Sequence, residues 1–176
     1  MTILVTGGAG FIGSNFISHL QKTVEEHVVV IDKMGYASNK NYIPNTPQFH
    51  LEECNLFDED QVRYIFSRFK PRVVFHFAAE SHVDNSILDC KPFVESNIIG
   101  TINLLNASRV GDIEKFHHIS TDEVFGSISE GSFTEESPYD PKNPYSASKA
   151  ASDHFVSAFH NTYGLPTIIT NCSNNY

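Results

Sequence analysis

The chain has 176 residues, 40% of them hydrophobic and 19% charged. This suffices for one ordinary domain with its own core and is too apolar for a disordered chain. Twelve basic residues stand against 21 acidic ones, a net charge of −9, so the molecule repels nucleic acid and anionic membrane, and no partner of either kind is expected.

In chain order, Ile3-Leu4-Val5 is a short apolar run ending in glycines, with no basic segment ahead of it to mark a secretory signal. Phe11, Ile12, Phe16, Ile17 and Leu20 then recur at helical spacing. Val28-Val29-Val30-Ile31 reads as a second strand and Gln48-Phe49-His50-Leu51 as a weaker third. Val62, Ile65, Phe66 and Phe69 share one helix face, with Pro71 just beyond its end. Val73 to Phe77 is a fourth strand, Val94, Ile98, Ile102 and Leu105 mark a long helix, and Phe116 to Ser120 is a fifth strand. Pro144 opens a helix bearing Ala147, Ala151, Phe155 and Phe159; Gly164 ends it, and Thr167-Ile168-Ile169-Thr170 is the sixth strand. Strands apolar on both faces and alternating with helices predict an α/β fold with a doubly wound parallel sheet, in one domain over residues 1–176. Residues 34–47 and 126–143 are rich in Gly, Ser, Asn and Pro and read as functional loops. No apolar run nears the ~20 residues of a membrane span. Cys54, Cys90 and Cys172 are odd in number and far apart, which favours a reducing, cytoplasmic setting over a disulfide framework.

Three motifs carry chemistry. Gly7, Gly10 and Gly13 stand at every third position between the first strand and the first helix. There they permit a tight turn and let a pyrophosphate approach the free amides of the helix N-terminus. Asp32 closes the second strand, where a carboxylate accepts both ribose hydroxyls and repels a 2′-phosphate, favouring NAD over NADP; the adjacent Lys33 pulls the other way. Tyr145 and Lys149, four apart, share a helix face. Such pairs are common on solvated helices, but after a dinucleotide fingerprint they read as a redox base. A nearby ammonium and the positive nicotinamide ring both favour the phenolate. Ser120-Thr121-Asp122-Glu123 ends the fifth strand, on the side of the sheet where ligands bind. Two adjacent carboxylates there form either an acid and a base or a helix-capping surface run.

The chain resembles the N-terminal part of the dTDP-glucose 4,6-dehydratases, within the extended short-chain dehydrogenase/reductase superfamily of Rossmann folds. The matching stretches are Val5 to Ser14, Ala78-Ala79-Glu80-Ser81-His82-Val83-Asp84, Ser120 to Gly126, Asn143 to Ala150, and Thr170 to Tyr176. The resemblance implies that Tyr145 deprotonates the C4 hydroxyl of a nucleotide sugar, supported by Lys149 and Thr121, as the C4 hydride passes to NAD. Glu123 would then take the C5 proton and Asp122 would protonate the departing C6 hydroxyl. The returning hydride yields a 4-keto-6-deoxy sugar and restores NAD.

It also places Gly7, Gly10, Phe11, Ile12, Gly13, Asp32, Lys33, Met34, Gly35, Asn55, Leu56, Phe77, Ala78, Ala79, Glu80, Ser81, Ser96 and Asn175 around NAD, beside Tyr145 and Lys149. Ser81, Thr121 and Asn174 would face the substrate. Three positions depart from the family pattern: Asn55 stands where Asp is usual, Gly35 where Thr is usual, and Asn85 where Arg is common. Family members continue into a smaller C-terminal region that holds much of the substrate, a region not contained in these 176 residues. The resemblance further implies a homodimer in the full-length form, through the helices around Val94 to Leu105 and Ala147 to Phe159.

A UDP-sugar dehydratase or epimerase of the same superfamily, and a non-catalytic NAD-binding module, are the competing readings. Asp122 and Glu123 speak against plain epimerisation. Nine histidines include the pair His117-His118, but no Cys/His spacing resembles a metal site, and none is expected.

Overall fold

The computed structural model describes residues 1–175. Six parallel strands, β1 (Thr2–Thr6), β2 (His27–Asp32), β3 (Phe49–Glu53), β4 (Val73–His76), β5 (Lys115–Thr121) and β6 (Thr167–Cys172), form one sheet in the order β3-β2-β1-β4-β5-β6. This is the doubly wound order expected. The direction of winding reverses between β1 and β4, which opens a crevice at the carboxyl end of β1. The helices are α1 (Phe11–Thr23), α2 (Glu59–Phe69), α3 (Val83–Leu88), α4 (Lys91–Phe93), α5 (Gly100–Val110) and α6 (Pro144–Tyr163).

Alternation along the strands divides the core in two. Leu4, Val29, Val74 and Phe116 face a cluster completed by Val62, Ile65 and Phe66 of α2, Leu104 and Leu105 of α5, and Val156 and Phe159 of α6. Ile3, Val5, Val28 and Val30 face the other way and meet Ile17 and Leu20 of α1, while Phe16 packs at 4.6 Å and 5.2 Å from the rings of Phe75 and Phe77. The second layer stops short of the β6 edge. Ile168, expected within a strand buried on both faces, is 43% exposed; among the described residues α1 is the helix on that face, and it covers β1 and β2.

The helix around Val94 to Leu105 differs from its periodic reading. Residues Val94–Ile99 between α4 and α5 form a π-helical segment. Its wider turn shifts the inward register: Val94 turns out to 41% exposure, while Asn97 and Thr101 are buried. Polar side chains thereby enter the layer beneath the cleft. At α6 a capping box fixes the first turn. Ser146 N donates to Asn143 Oδ1 at 2.8 Å, Asn143 N donates to Ser146 Oγ at 3.2 Å, and Pro144 sits in the first turn. Tyr145 is thus held at a set point beside the sheet edge.

Two glycines of the turn after β1 are required by space. Gly7 has φ +69°, and a Cβ there would lie 2.6 Å from Ala78 N; one on Gly13 would lie 2.3 Å from Gly7 O. Any side chain at either position would push β1 from β4 or α1 from the turn.

Candidate active site

A cleft of about 350 Å³ opens at the carboxyl ends of β1, β2, β4 and β5. Its floor is the turn Gly7, Gly10, Gly13 with Phe11 and Ile12 of α1. The first turn of α1 carries no acidic residue and no side-chain cap. Its leading amides therefore have no intrahelical partner and suit an anion at the positive end of the helix.

Asp32, at the tip of β2, is 6% exposed. Its Oδ2 accepts from Ala9 N at 3.0 Å, and its Oδ1 from Met34 N at 2.9 Å and Ser38 Oγ at 2.7 Å. The carboxylate is locked at the cleft wall with lone pairs to spare for hydroxyl donors. Asn55 and Leu56 follow β3; Asn103 Nδ2 donates to Leu56 O at 2.9 Å, which seats that loop against α5. Phe77 to Ser81 follow β4, and Ser96 comes from the π-helical segment.

Of the residues the resemblance assigns to the cofactor, Met34 and Asn175 lie outside the cleft wall. Met34 has φ +55°, and its amide serves Asp32. Asn175 is exposed and donates to Ser173 O at 3.0 Å; Asn174 is likewise exposed and off the wall. Tyr176, in the last matching stretch, lies outside the described residues.

The opposite end of the cleft is formed by Ile119, Ser120, Tyr145 and Lys149. Tyr145 N donates to Ser86 Oγ at 3.1 Å, and the phenol hydrogen-bonds the Thr121 side chain. Burial pushes the Tyr145 phenol up to about 12; the bond to Thr121 opposes this, and the charges of Glu123, Asp122 and Asp153 add to it. The expectation that the neighbouring ammonium favours the phenolate is not met here. Lys149 Nζ donates to Ile119 O at 2.8 Å, and the charges that bear on the phenol are all negative. Burial lowers Lys149 itself to about 8, against the opposing charges of Asp153 and Cys172.

Thr121 caps a short 3₁₀ turn, Asp122–Phe125, by accepting from Glu123 N at 3.2 Å. The capping reading therefore holds for Thr121, whose Oγ1 also donates to Asp122 Oδ1 at 3.4 Å, and both carboxylates lie in the capped turn. Asp122 and Glu123 are half-buried just beyond β5, and Glu123 Oε2 accepts from Asn143 Nδ2 at 3.3 Å. Glu123, Asp122 and the Tyr145 phenol thus approach one another from the turn after β5 and the start of α6, which Asn143 ties together.

The sequence pattern does not single out two further groups. Asn97 donates to Glu80 O at 2.9 Å and to Ser148 Oγ at 2.8 Å and accepts from Glu80 N at 2.8 Å, joining the loop after β4 to α6. Asp153, 1% exposed, accepts from Ser120 Oγ at 2.7 Å and from Tyr139 Oη at 3.0 Å. Its signal was available: Tyr145, Lys149 and Asp153 continue one helix stripe at intervals of four. Among the described residues no three His, Cys, Asp or Glu side chains are grouped to hold a metal ion, and no helix is long and apolar enough to cross a membrane. His76 and His118 are buried and pushed well below the usual imidazole range by burial.

The sequence profile of the GDP-mannose 4,6 dehydratase family matches residues 4–176. The chain belongs to this family. The dTDP-glucose 4,6-dehydratase of Haemophilus influenzae is 49% identical over 190 residues, covering 100% of this chain and 56% of the relative. That of Neisseria meningitidis is 47% identical over 188 residues, covering 99% of this chain and 53% of the relative. The chain spans about half the length of the curated relatives it matches.

Among solved structures, a dTDP-glucose 4,6-dehydratase of Streptomyces venezuelae with NAD bound superposes with a TM-score of 0.95 at 41% identity, over 100% of this chain and 56% of that one. The UDP-glucose 4-epimerase of Thermus thermophilus, in complex with NAD, gives 0.89 at 36%, over 97% and 54%. The extended short-chain dehydrogenase/reductase fold is therefore shared by dehydratase and epimerase neighbours alike.

Proposed function

We propose that the chain is the cofactor-binding part of an NAD-dependent nucleotide-sugar 4,6-dehydratase acting on dTDP-glucose or a related nucleotide hexose. The observation that carries this reading is that Tyr145, at one end of a dinucleotide-shaped cleft, lies within reach of the charges of Asp122 and Glu123, which stand just off the cleft wall beyond β5. The cleft fits the cofactor on its own terms. It offers uncapped helix amides for the pyrophosphate, a locked Asp32 for the ribose hydroxyls, and an apolar wall at Leu56, Phe77 and Ala78.

Bound at this cleft, NAD would serve as acceptor of the C4 hydride and then as donor of a hydride to C6. Tyr145 Oη takes the proton of the C4 hydroxyl, with Thr121 Oγ1 sharing that proton's hydrogen bond. With its phenol at about 12, Tyr145 would become an effective base when the positive nicotinamide ring stands beside it, an effect that the Lys149 ammonium alone does not supply. The Glu123 carboxylate takes the C5 proton, made acidic by the 4-keto group. Asp122 donates a proton to the C6 hydroxyl as it leaves as water. Ser81, on the cleft wall, orients the sugar. Asn174, Asn175 and Met34 remain candidate contacts outside that wall.

Isothermal titration tests the cofactor reading. The chain is expected to bind NAD more tightly than NADP, because the Asp32 charge would meet a 2′-phosphate, and Asp32→Ala should narrow the gap. Equal affinity, or stronger NADP binding, refutes the assignment.

The epimerase reading is favoured by fold alone, through neighbours such as the Thermus thermophilus enzyme; it leaves Asp122 and Glu123 without a task. We also infer a homodimer for a chain of the relatives' full length. Val94 and Phe155 stand 41% and 39% exposed on the two helices expected to pair. A strict monomer in sedimentation at micromolar concentration contradicts that inference.

A further inference from the structure

We infer that Glu80 is a specificity-determining residue: its ion pair with Lys33 bridges the cleft over the end of β1 and withholds that cation, beside Asp32, from a phosphate on the cofactor ribose. The inference rests on the NAD reading above and deepens it. Lys33 follows the tip of β2 and Glu80 lies in the loop after β4. Because β2 and β4 flank β1 on opposite sides, a bond between Lys33 Nζ and Glu80 Oε1 passes across the crevice.

Glu80 is built to hold this position. Its side chain is 11% exposed against 39% for Lys33, and its backbone is gripped on both sides by Asn97, itself 1% exposed. Tyr36 Oη lies 3.4 Å from Glu80 Oε2 and 2.8 Å from His82 Nδ1, closing the strap. Two lysines line the cleft, and Lys149 is at the far end, donating to Ile119 O. Lys33 is therefore the cation placed to recognise a 2′-phosphate, as basic residues near this position do in dinucleotide folds generally. The sequence leaves Asp32 and Lys33 in conflict, and the structure resolves the conflict through Glu80. Discrimination then has two parts, repulsion by Asp32 and sequestration of Lys33.

Isothermal titration of NAD and NADP into the chain and into Glu80→Gln, Lys33→Met and the double variant tests this. Gln keeps the shape of Glu80 and its contact with Tyr36 while removing the charge. Glu80→Gln is expected to narrow the NAD-over-NADP preference about tenfold, the scale of one charge-assisted hydrogen bond. Lys33→Met on that background is expected to restore the original preference.

An unchanged preference in Glu80→Gln overturns the inference. So does a narrowing that survives Lys33→Met, since Glu80 would then repel the phosphate directly. An equal gain for both nucleotides also overturns it, by assigning the freed Lys33 to the pyrophosphate they share. A parent chain that binds neither nucleotide refutes the cofactor reading itself and this inference with it.

Discussion

Tyr145→Phe, in a chain of the relatives' full length, is expected to abolish oxidation at C4, whereas Glu123→Gln and Asp122→Asn are expected to stop the reaction after oxidation. The separation follows from the two chemical roles. Tyr145 is set by the capping box of α6 and by Ser86, the two carboxylates by the turn after β5, and Asn143 of the capping box also holds Glu123. Loss of one acid or base costs ~10²–10⁴ in rate. The carboxylate variants should therefore show reduced-nicotinamide absorbance in a single turnover with a nucleotide glucose, and release little dehydrated sugar.

A pH signature accompanies this. The Glu123 charge raises the Tyr145 phenol, so Glu123→Gln lowers it, and the pH midpoint of the oxidation step should move down. If Glu123→Gln dehydrates at the normal rate, the carboxylate pair is a surface feature of the capped turn and the proposed mechanism is wrong.

The fold was legible because strand periodicity and the glycine turn are local signals. Val28 to Ile31 are all fully buried, and Gly7 and Gly13 sit where a Cβ cannot. The π-helical segment was not legible. It is set by Asn97 reaching Glu80 and Ser148 across the layer, and the apolar spacing of Val94, Ile98 and Ile102 continues smoothly past it. Likewise the strand pattern at Ile168 states that a side chain is apolar, not that a helix covers it. Within the site, Asp32, Tyr145 and Lys149 line the cleft, while Asp122 and Glu123 stand just off its wall. The electrostatics are not legible in the spacing, because the Lys149 ammonium is engaged by the Ile119 carbonyl and the phenol is raised first by burial and then by nearby carboxylates.

Those carboxylates lead to the largest expected loss of stability. Asp153→Ala removes a buried anion that accepts from Ser120 at the end of β5 and from Tyr139 in the loop before α6. It also leaves Lys149, 4% exposed, without the charge that chiefly opposes its burial. Losing two hydrogen bonds to a charged acceptor, together with the charge that favours the Lys149 ammonium, costs about 3–5 kcal/mol. For a domain of this size that is a fall in Tm of roughly 6–20 °C.

The pH dependence distinguishes charge from hydrogen bonding. Lys149 titrates at about 8 in the fold against 10.5 for a free side chain, so the unfolded chain binds the proton more tightly. The penalty for the buried ammonium is present in full below pH 8, and stability contributed by this group rises as pH rises from 8 to 10.5. Asp153 raises Lys149, so Asp153→Ala lowers it further and starts that rise at a lower pH. His76, His118, Cys172 and Tyr145 are the other titratable groups around the lysine, and Lys149→Met isolates its share.

Urea melts from pH 6 to 10 on the four combinations of Asp153→Ala and Lys149→Met are expected to show a positive coupling, the Asp153 loss shrinking when the lysine is gone. An Asp153→Ala cost that is unchanged in the Lys149→Met background, with an unchanged pH slope, would reduce Asp153 to an acceptor for two hydroxyls. The ammonium beneath Tyr145 would then owe its protonation at neutral pH to the Ile119 carbonyl alone.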